Sequence, residues 1–361
     1  MAEPYIRTRG LELAEDYQKI ESCCSVFQNC GGCTYLNLNY EDELNLKEQV
    51  LRDLFAHHQL NIPIHQVTPS PRHQSYRNKL VPQIKKRING DIHFGMAPFG
   101  KKQVVEISEC PITLPIISDQ IPKIHQELLQ KDLTKIKRAS LVLRSDGEKF
   151  HCGWWGKGSL KRTPPEYFQY QWKDKVIYYS LDTFFQANSF ILESLIQNLQ
   201  TYLGIDEQTH FYDLYGGVGL FAYTLGANAK HVTLIELEGA STQLAKYNKE
   251  MNQADHVEII CKPMEQMIPF PESPIPNGKQ IAMIDPPRAG LSPTVIDYLS
   301  TCPFTKLAYL SCNPETQVRD LKHFIQLGWT VDHITPYDFF PRSYHIESLA
   351  ILSPPPKKES S

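Results

Sequence analysis

The sequence predicts an α/β protein: a doubly wound, mostly parallel sheet in the C-terminal half, preceded by an α+β domain that carries a cysteine cluster. Three observations predict it. The β-rich runs "THFYDLYGG", "HVTLIELE", "VEIICKP", "IAMIDPP" and "KLAYLSCN" recur at intervals of roughly 20 to 27 residues, mostly with helix-length stretches between them. That alternation is the mark of parallel strands joined by crossover helices. The first run opens into a glycine loop, "YGGVGLF", and four of the nine cysteines crowd between residues 23 and 33.

Taken in order, residues 1–20 read as a tail and residues 21–178 as the first domain. It opens with the cysteine loop "CCSVFQNCGGC". Next, "YEDELNLKEQVLRDLFAHH" sets Leu44, Leu51, Leu54, Phe55 and His58 near helical spacing, so an amphipathic helix is expected. From about 65 to 178, short alternating runs such as "HFGMAP", "SLVLRS" and "KVIYYSL" are broken by Gly, Pro, Asn and Asp, a strand-rich pattern. The strand–helix half spans 179–352. Its last runs, "WTVDHITPYDF" and "HIESLAILSP", leave little room for a helix between them and are expected to pair antiparallel at one edge. Residues 353–361 read as a second tail, and no internal repeat is visible.

The net charge of −3 over 361 residues argues against a wholly basic coat for nucleic acid and leaves room for a local basic patch. No apolar run approaches the roughly 18 residues of a membrane span. The start, "MAEPYIRTRGLELAED", lacks the apolar stretch of a secretory signal. A soluble cytoplasmic monomer without a membrane partner is expected. In such a chain an odd number of cysteines points to metal ligation or catalysis before disulfides.

Gly216, Gly217 and Gly219 lie between the first strand of the second half and its helix, and Gly217-x-Gly219-x-x-Ala222 fits a dinucleotide fingerprint. Glu236 follows Gly217 by 19 residues, at the end of the next strand, where an acid grips ribose hydroxyls. The loop alone leaves a nicotinamide cofactor and S-adenosylmethionine both open. Ligands of such sheets sit beyond the carboxyl ends of the strands. Two further strand ends should face that crevice: "DPPR", with Asp285, and "LSCNPET", with Cys312. Alone, Asp285 reads equally as a helix cap and Cys312 as a small core residue.

The segments "FFQAN", "DLYGGVGLF", "DPPRAGL", "SCNPET" and the late "HIE" occur in that order. Together they resemble the RNA uracil-C5 methyltransferases, over nearly all of 179–352. The resemblance implies a Rossmann-like class I methyltransferase domain that uses S-adenosylmethionine to methylate C5 of a uridine in RNA through a covalent cysteine–C6 adduct. It implies Cys312 as nucleophile and Glu347 as general base. Gln186, Tyr215 and Glu236 would hold S-adenosylmethionine, with Asp285 lining the site near the cofactor or the uracil edge. A site that favours the thiolate is expected, because a free thiol has a pKa of about 8.5.

Cys24-x5-Cys30-Gly-Gly-Cys33, with Cys110, is similar to the family's four-cysteine [4Fe–4S] pattern, and Cys23 falls one residue outside its spacing. Four thiols also suit structural zinc. Arg72, Arg77, Lys79, Lys85, Lys86, Arg87, Lys101 and Lys102, interleaved with Tyr76, His93 and Phe94, suggest phosphate contacts and base stacking. Arg288 and Arg342 are further candidates to steer phosphates. Many relatives carry an OB-like domain before the cluster, whereas only 22 residues precede Cys23. This points first to 23S rRNA and second to tRNA. Other readings are weaker. Cytosine-C5 enzymes place Pro-Cys where this chain has Asp285-Pro286-Pro287-Arg288, and a dehydrogenase leaves Cys312 unexplained. A non-catalytic cysteine-cluster RNA-binding protein remains as the alternative from another class.

Overall fold

The computed structural model describes residues 4–86, 91–101, 103–131, 138–155, 167–270, 273–275 and 278–356. The expected N-terminal tail is instead a helix, α1 (Tyr5–Ala14), with Ile6 and Ala14 buried. It lies on α2 (Tyr40–His57), the amphipathic helix read from the sequence. The buried face of α2 combines Leu46, Val50, Leu51, Leu54 and Phe55 with two charged residues, Glu43 and Lys47.

The first sheet is antiparallel. It comprises β1 (Lys79–Leu80), β2 (Gln83–Lys86), β3 (Ile92–Met96), β4 (Val105–Glu106), β5 (Arg138–Ser145) and β6 (Phe150–Trp155). The order is β1-β5-β2-β3-β4, with β6 on β5. The short α3 (Pro115–Ser118) and α4 (Ile121–Gln130) cover it, packing Ile117, Ile121, Ile124 and Leu128 against Leu80, Ile84 and Phe94.

Next comes a hairpin, β7 (Phe168–Trp172) with β8 (Lys175–Tyr179). The sequence reading assigned it to the first domain. Instead Phe168, Trp172, Ile177 and Tyr179 join the core of the second sheet. Asn248 and Asn252 side-chain oxygens accept from the backbone N–H groups of Tyr178 and Val176, at 2.8 and 3.0 Å. The unit around the second sheet therefore begins before the expected boundary at 178, and it also recruits α2, whose apolar face packs with Leu214, Ile284 and Tyr309.

The second sheet follows the doubly wound expectation. Its strands are β9 (Thr209–Leu214), β10 (His231–Glu236), β11 (Val257–Cys261), β12 (Lys279–Ile284), β13 (Phe304–Ser311), β14 (Thr330–Tyr337) and β15 (Glu347–Ser353). The order is β11-β10-β9-β12-β13-β15-β14. The first five are parallel, and β15 inserts antiparallel between β13 and β14. Helices α5 (Leu192–Leu203), α6 (Leu220–Thr224) and α7 (Gly239–Met251) contribute to the core on one face. Helices α8 (Pro293–Thr301) and α9 (Pro314–Gln326) join α2 on the other. The chain winds one way from β9 and the other way from β12. The switch point is therefore at their carboxyl ends, where Leu214 pairs with Ile284.

Candidate active site

Beyond Leu214 and Ile284 the chain turns sharply. Tyr215 holds φ +62, a left-handed conformation that a non-glycine residue keeps only where its surroundings enforce it. Gly217 follows at φ +55, and a Cβ built on it would meet nothing within 4 Å. Open space above a left-handed glycine is what a close-approaching ligand requires. At Gly219, φ +92, a side chain would collide with the Tyr223 ring, so this glycine serves packing. Glu236 Oε2 accepts from the Gly217 N–H at 3.0 Å and Oε1 from the Glu238 N–H at 2.7 Å. The acid thus braces the loop, and each oxygen keeps acceptor capacity for a ribose hydroxyl. Gln186, Tyr215, Gly217 and Asp285 line one cleft, with Phe184 and Phe221. Gln186 Nε2 reaches Asp285 Oδ2 at 3.4 Å. The donor and acceptor set fits a nucleoside cofactor with a flat base and a ribose.

Beneath the loop, Asp213 is fully buried and Oδ2 accepts from the Ala222 N–H at 2.8 Å, while Oδ1 has no partner. Burial, offset in part by that hydrogen bond, pushes its carboxyl from an ordinary 3.8 to about 8.

The second half of the site comes from the inserted strand. Ser311 pairs with Ser348 across β13 and β15. Cys312, one residue past β13, and Glu347, the first residue of β15, therefore emerge side by side. Glu347 is buried, 2 % exposed, and its carboxyl lies well above the usual range because of burial, then the Asp285 carboxylate. Asp285 is raised to about 7 by burial. The Cys312 thiol is pushed up to about 12, first by burial and then by Glu347, with Arg288 pulling it down. The expectation of a site already favouring the thiolate is not met. Burial first, and then the acids Glu347 and Asp285, disfavour the ionised sulfur.

Cys312, Arg288 and His345 line a cavity of about 370 Å³ together with Cys24, Cys30, Cys33 and Cys110. Burial is the leading cause that raises the thiols of Cys30, Cys33 and Cys110. Cys23 is exposed. Among the described residues no three His, Cys, Asp or Glu side chains stand close enough to hold a single metal ion. Four cysteines nonetheless line one cavity, a donor set of the kind an iron–sulfur cluster, bulkier than one ion, would use.

The expected RNA surface survives only in part. Tyr76 and Phe94 are fully buried and present no stacking face. His93 Nδ1 lies 2.5 Å from Glu106. Arg342 is 4 % exposed and tied to Glu43 and the Leu38 carbonyl, so it steers nothing in solvent. Burial and then Arg144 and Arg77 lower Lys79 to about 8. Arg72 is exposed and lies over the Phe190 ring, its guanidinium carbon 4.1 Å from the centroid. Lys101 is exposed, Lys85 and Lys86 are partly so, and Arg87 and Lys102 fall outside the described residues.

Sequence reasoning missed two features. One is His345, whose Nδ1 lies 3.2 Å from Arg288 Nη2. The other is the buried ionic group that holds residues 338–342 ahead of Glu347. Lys47 Nζ donates to Glu43 and Asp338 at 2.8 and 2.7 Å, and the Tyr40 hydroxyl donates to Asp338 at 2.8 Å. The only signal for the latter was the Glu43–Lys47 spacing, which reads as a surface pair on a helix. Among the described residues no helix is long and apolar enough to cross a membrane.

A tRNA (uracil(54)-C(5))-methyltransferase of Schizosaccharomyces pombe is 27 % identical over 375 residues, covering 98 % of this chain and 70 % of the relative. A 23S rRNA (uracil(1939)-C(5))-methyltransferase of Vibrio campbellii is 25 % identical, covering 92 % of this chain and 82 % of the relative. The Pyrococcus abyssi tRNA (uracil-54, C5)-methyltransferase, solved with S-adenosyl-L-homocysteine, shares the fold with a TM-score of 0.68 at 23 % identity, covering 89 % of this chain and 85 % of that one. The sequence pattern of the tRNA (Uracil-5-)-methyltransferase family matches residues 166–269 and 278–354, half of the chain. This chain belongs to that family.

Proposed function

We propose that the protein methylates C5 of a uridine in RNA, with Cys312 as nucleophile and Glu347 as base. The observation that carries the reading is the emergence of these two side chains together at the ends of β13 and β15, beside Asp285 and the glycine loop. C5 of uracil is too weak a nucleophile to take a methyl group unaided. Cys312, as thiolate, adds to C6, and the ring electrons move onto C5 and O4. S-adenosylmethionine, when bound, would supply the methyl group to C5 from its sulfonium, the S–CH3 bond breaking to leave S-adenosylhomocysteine. Glu347 then removes the C5 proton, the C5–C6 double bond re-forms and the Cys312 thiolate leaves. Gln186, Tyr215, Glu236 and Asp285 hold the cofactor and the uracil edge. The target base must leave its stack to reach a thiol at the end of a strand. Arg72, Lys85, Lys86 and Lys101 supply phosphate contacts.

Cys312→Ala should abolish both the covalent RNA adduct, seen on a denaturing gel, and methyl transfer. Glu347→Gln should accumulate the adduct instead. A Cys312→Ala protein that still methylates uridine overturns the assignment. The relatives act on tRNA and on 23S rRNA, and mapping 5-methyluridine in total RNA with and without the gene decides between them.

Cys24, Cys30, Cys33 and Cys110 are proposed to hold a [4Fe–4S] cluster that orders the cysteine loop beside the active cavity. Iron and sulfide analysis of anaerobically purified protein tests this. About four of each per chain is expected for that cluster type, and stoichiometric zinc would replace the proposal.

A further inference from the structure

We propose that His345 is a positioning residue for this reaction: it pins the Arg288 guanidinium beside Cys312 and so stabilises the attacking thiolate. The inference rests on the function proposed for the same site. Arg288 sits on the exposed loop after β12. Its carbonyl accepts from Asn313 Nδ2 at 3.0 Å and from Thr316 Oγ1 at 3.2 Å, so the backbone is fixed to the turn that carries Cys312. The long side chain is held separately, by His345 Nδ1 at 3.2 Å from Nη2.

A guanidinium is always charged and only donates. His345 Nδ1 must therefore be the acceptor, with the ring neutral and the proton on Nε2. The surroundings enforce that state: burial, then the cations Arg288, Arg77 and Lys47, push the imidazole down to about 3. Tyr344 packs tilted against the ring, centroids 4.1 Å apart, and Phe340 meets it edge-on at 5.7 Å. The acceptor is fixed in orientation and does not titrate near neutral pH.

Cys312 needs such help. The charged groups facing it are the acids Glu347 and Asp285, which disfavour the thiolate, and Arg288, which favours it along with the residue's own backbone N–H. Arg288 also favours the ionised form of Glu347. One cation thus assists both the nucleophile and the base, and an exposed arginine free to swing into solvent would lose most of that field to screening.

The test uses the full-length chain with S-adenosylmethionine and RNA in which 5-fluorouridine replaces uridine. Fluorine at C5 cannot leave as a proton, so the cysteine adduct accumulates and its rate of formation is read against pH. His345→Ala should slow adduct formation about tenfold at neutral pH, the size of one charged hydrogen bond, and move its acid limb to higher pH. His345→Gln, which offers an amide oxygen as acceptor, should recover most of the rate. The double variant with Arg288→Ala should be no slower than Arg288→Ala alone. Should His345→Ala fail to fold, His345→Phe keeps the aromatic packing without the acceptor and should be equally slow. A wild-type pH profile in the Ala or Phe variant, or full additivity in the double variant, overturns the role of His345. If the wild-type chain forms no adduct, the parent reading fails and this one with it.

Discussion

At the scale of single residues, burial in the candidate active site favours the protonated forms, opposite to what the proposed reaction needs. Cys312 is raised to about 12 and Glu347 well above its usual range, both led by burial. In the proposed reaction, addition requires the thiolate and the last step requires the carboxylate. Each is favoured as pH rises, so single-turnover methyl transfer should increase from pH 6 to pH 9, up to tenfold per unit while one deprotonation limits. A flat profile over that range would mean that RNA binding resets both groups. The residues of this site divide sharply in how well the sequence revealed them. Cys312, Glu347 and Asp285 sit in short motifs at strand ends, where position alone implies exposure to the crevice. His345 and Arg288 lie 57 positions apart, and nothing local couples them. The buried partners Glu43 and Asp338 were equally invisible, because a charge on a helix reads as solvent-facing until the layer above it is known.

At the scale of elements, the strand–helix rhythm from β9 to β13 was legible because buried parallel strands read as continuous apolar runs. The hairpin β7–β8 was assigned to the wrong neighbour. Its alternating pattern reports that one side is buried, but not against which sheet. Helix α1 was read as a tail because its apolar positions are few and its packing depends on α2. The central strand β9 carries a second kind of tension. Asp213, one residue before its end, has one carboxylate oxygen unpartnered and a carboxyl raised from 3.8 to about 8. The folded state holds this proton more tightly than the unfolded chain, so unfolding releases it between those values. The contribution is favourable at low pH and is lost as pH rises toward 8. Asp213→Asn keeps an acceptor for the Ala222 N–H and removes the ionisation. It should flatten this dependence and raise stability at pH 9 relative to the wild type, because no buried charge then has to form. Urea denaturation of both proteins at pH 5 and pH 9 measures it.

At the scale of the whole molecule, the N-terminal segment and the methyltransferase sheet are locked by charge as well as by apolar packing. Lys47 on α2 sits between Glu43 and Asp338, all at most 1 % exposed. Replacing it with Met leaves two facing carboxylates in a dry interior. Lys47→Met should cost about 3–5 kcal/mol, seen as a lowered denaturation midpoint, and should disturb the loop that precedes Glu347. Across the surface, Arg72, Lys85, Lys86 and Lys101 predict RNA affinity that falls steeply between 50 and 200 mM salt, with each Lys→Ala reducing the slope by about one. Filter binding at several ionic strengths reads that slope directly, and a salt-independent affinity would remove the basic face from the interface.

The antiparallel insertion of β15 has a consequence for how such a molecule can diversify. Sulfur and acid are spaced by a single hydrogen-bonded ladder, in which a slip of one residue would turn the acid to the opposite side of the sheet. Their separation is thus guarded by the same bonds that hold the strands together. The basic side chains proposed to meet the polynucleotide, Arg72, Lys85, Lys86 and Lys101, lie elsewhere in the chain. Recognition modules can be exchanged, lengthened or lost around this pair of strands without retuning the reaction, which lets one chemistry serve RNAs of very different shape.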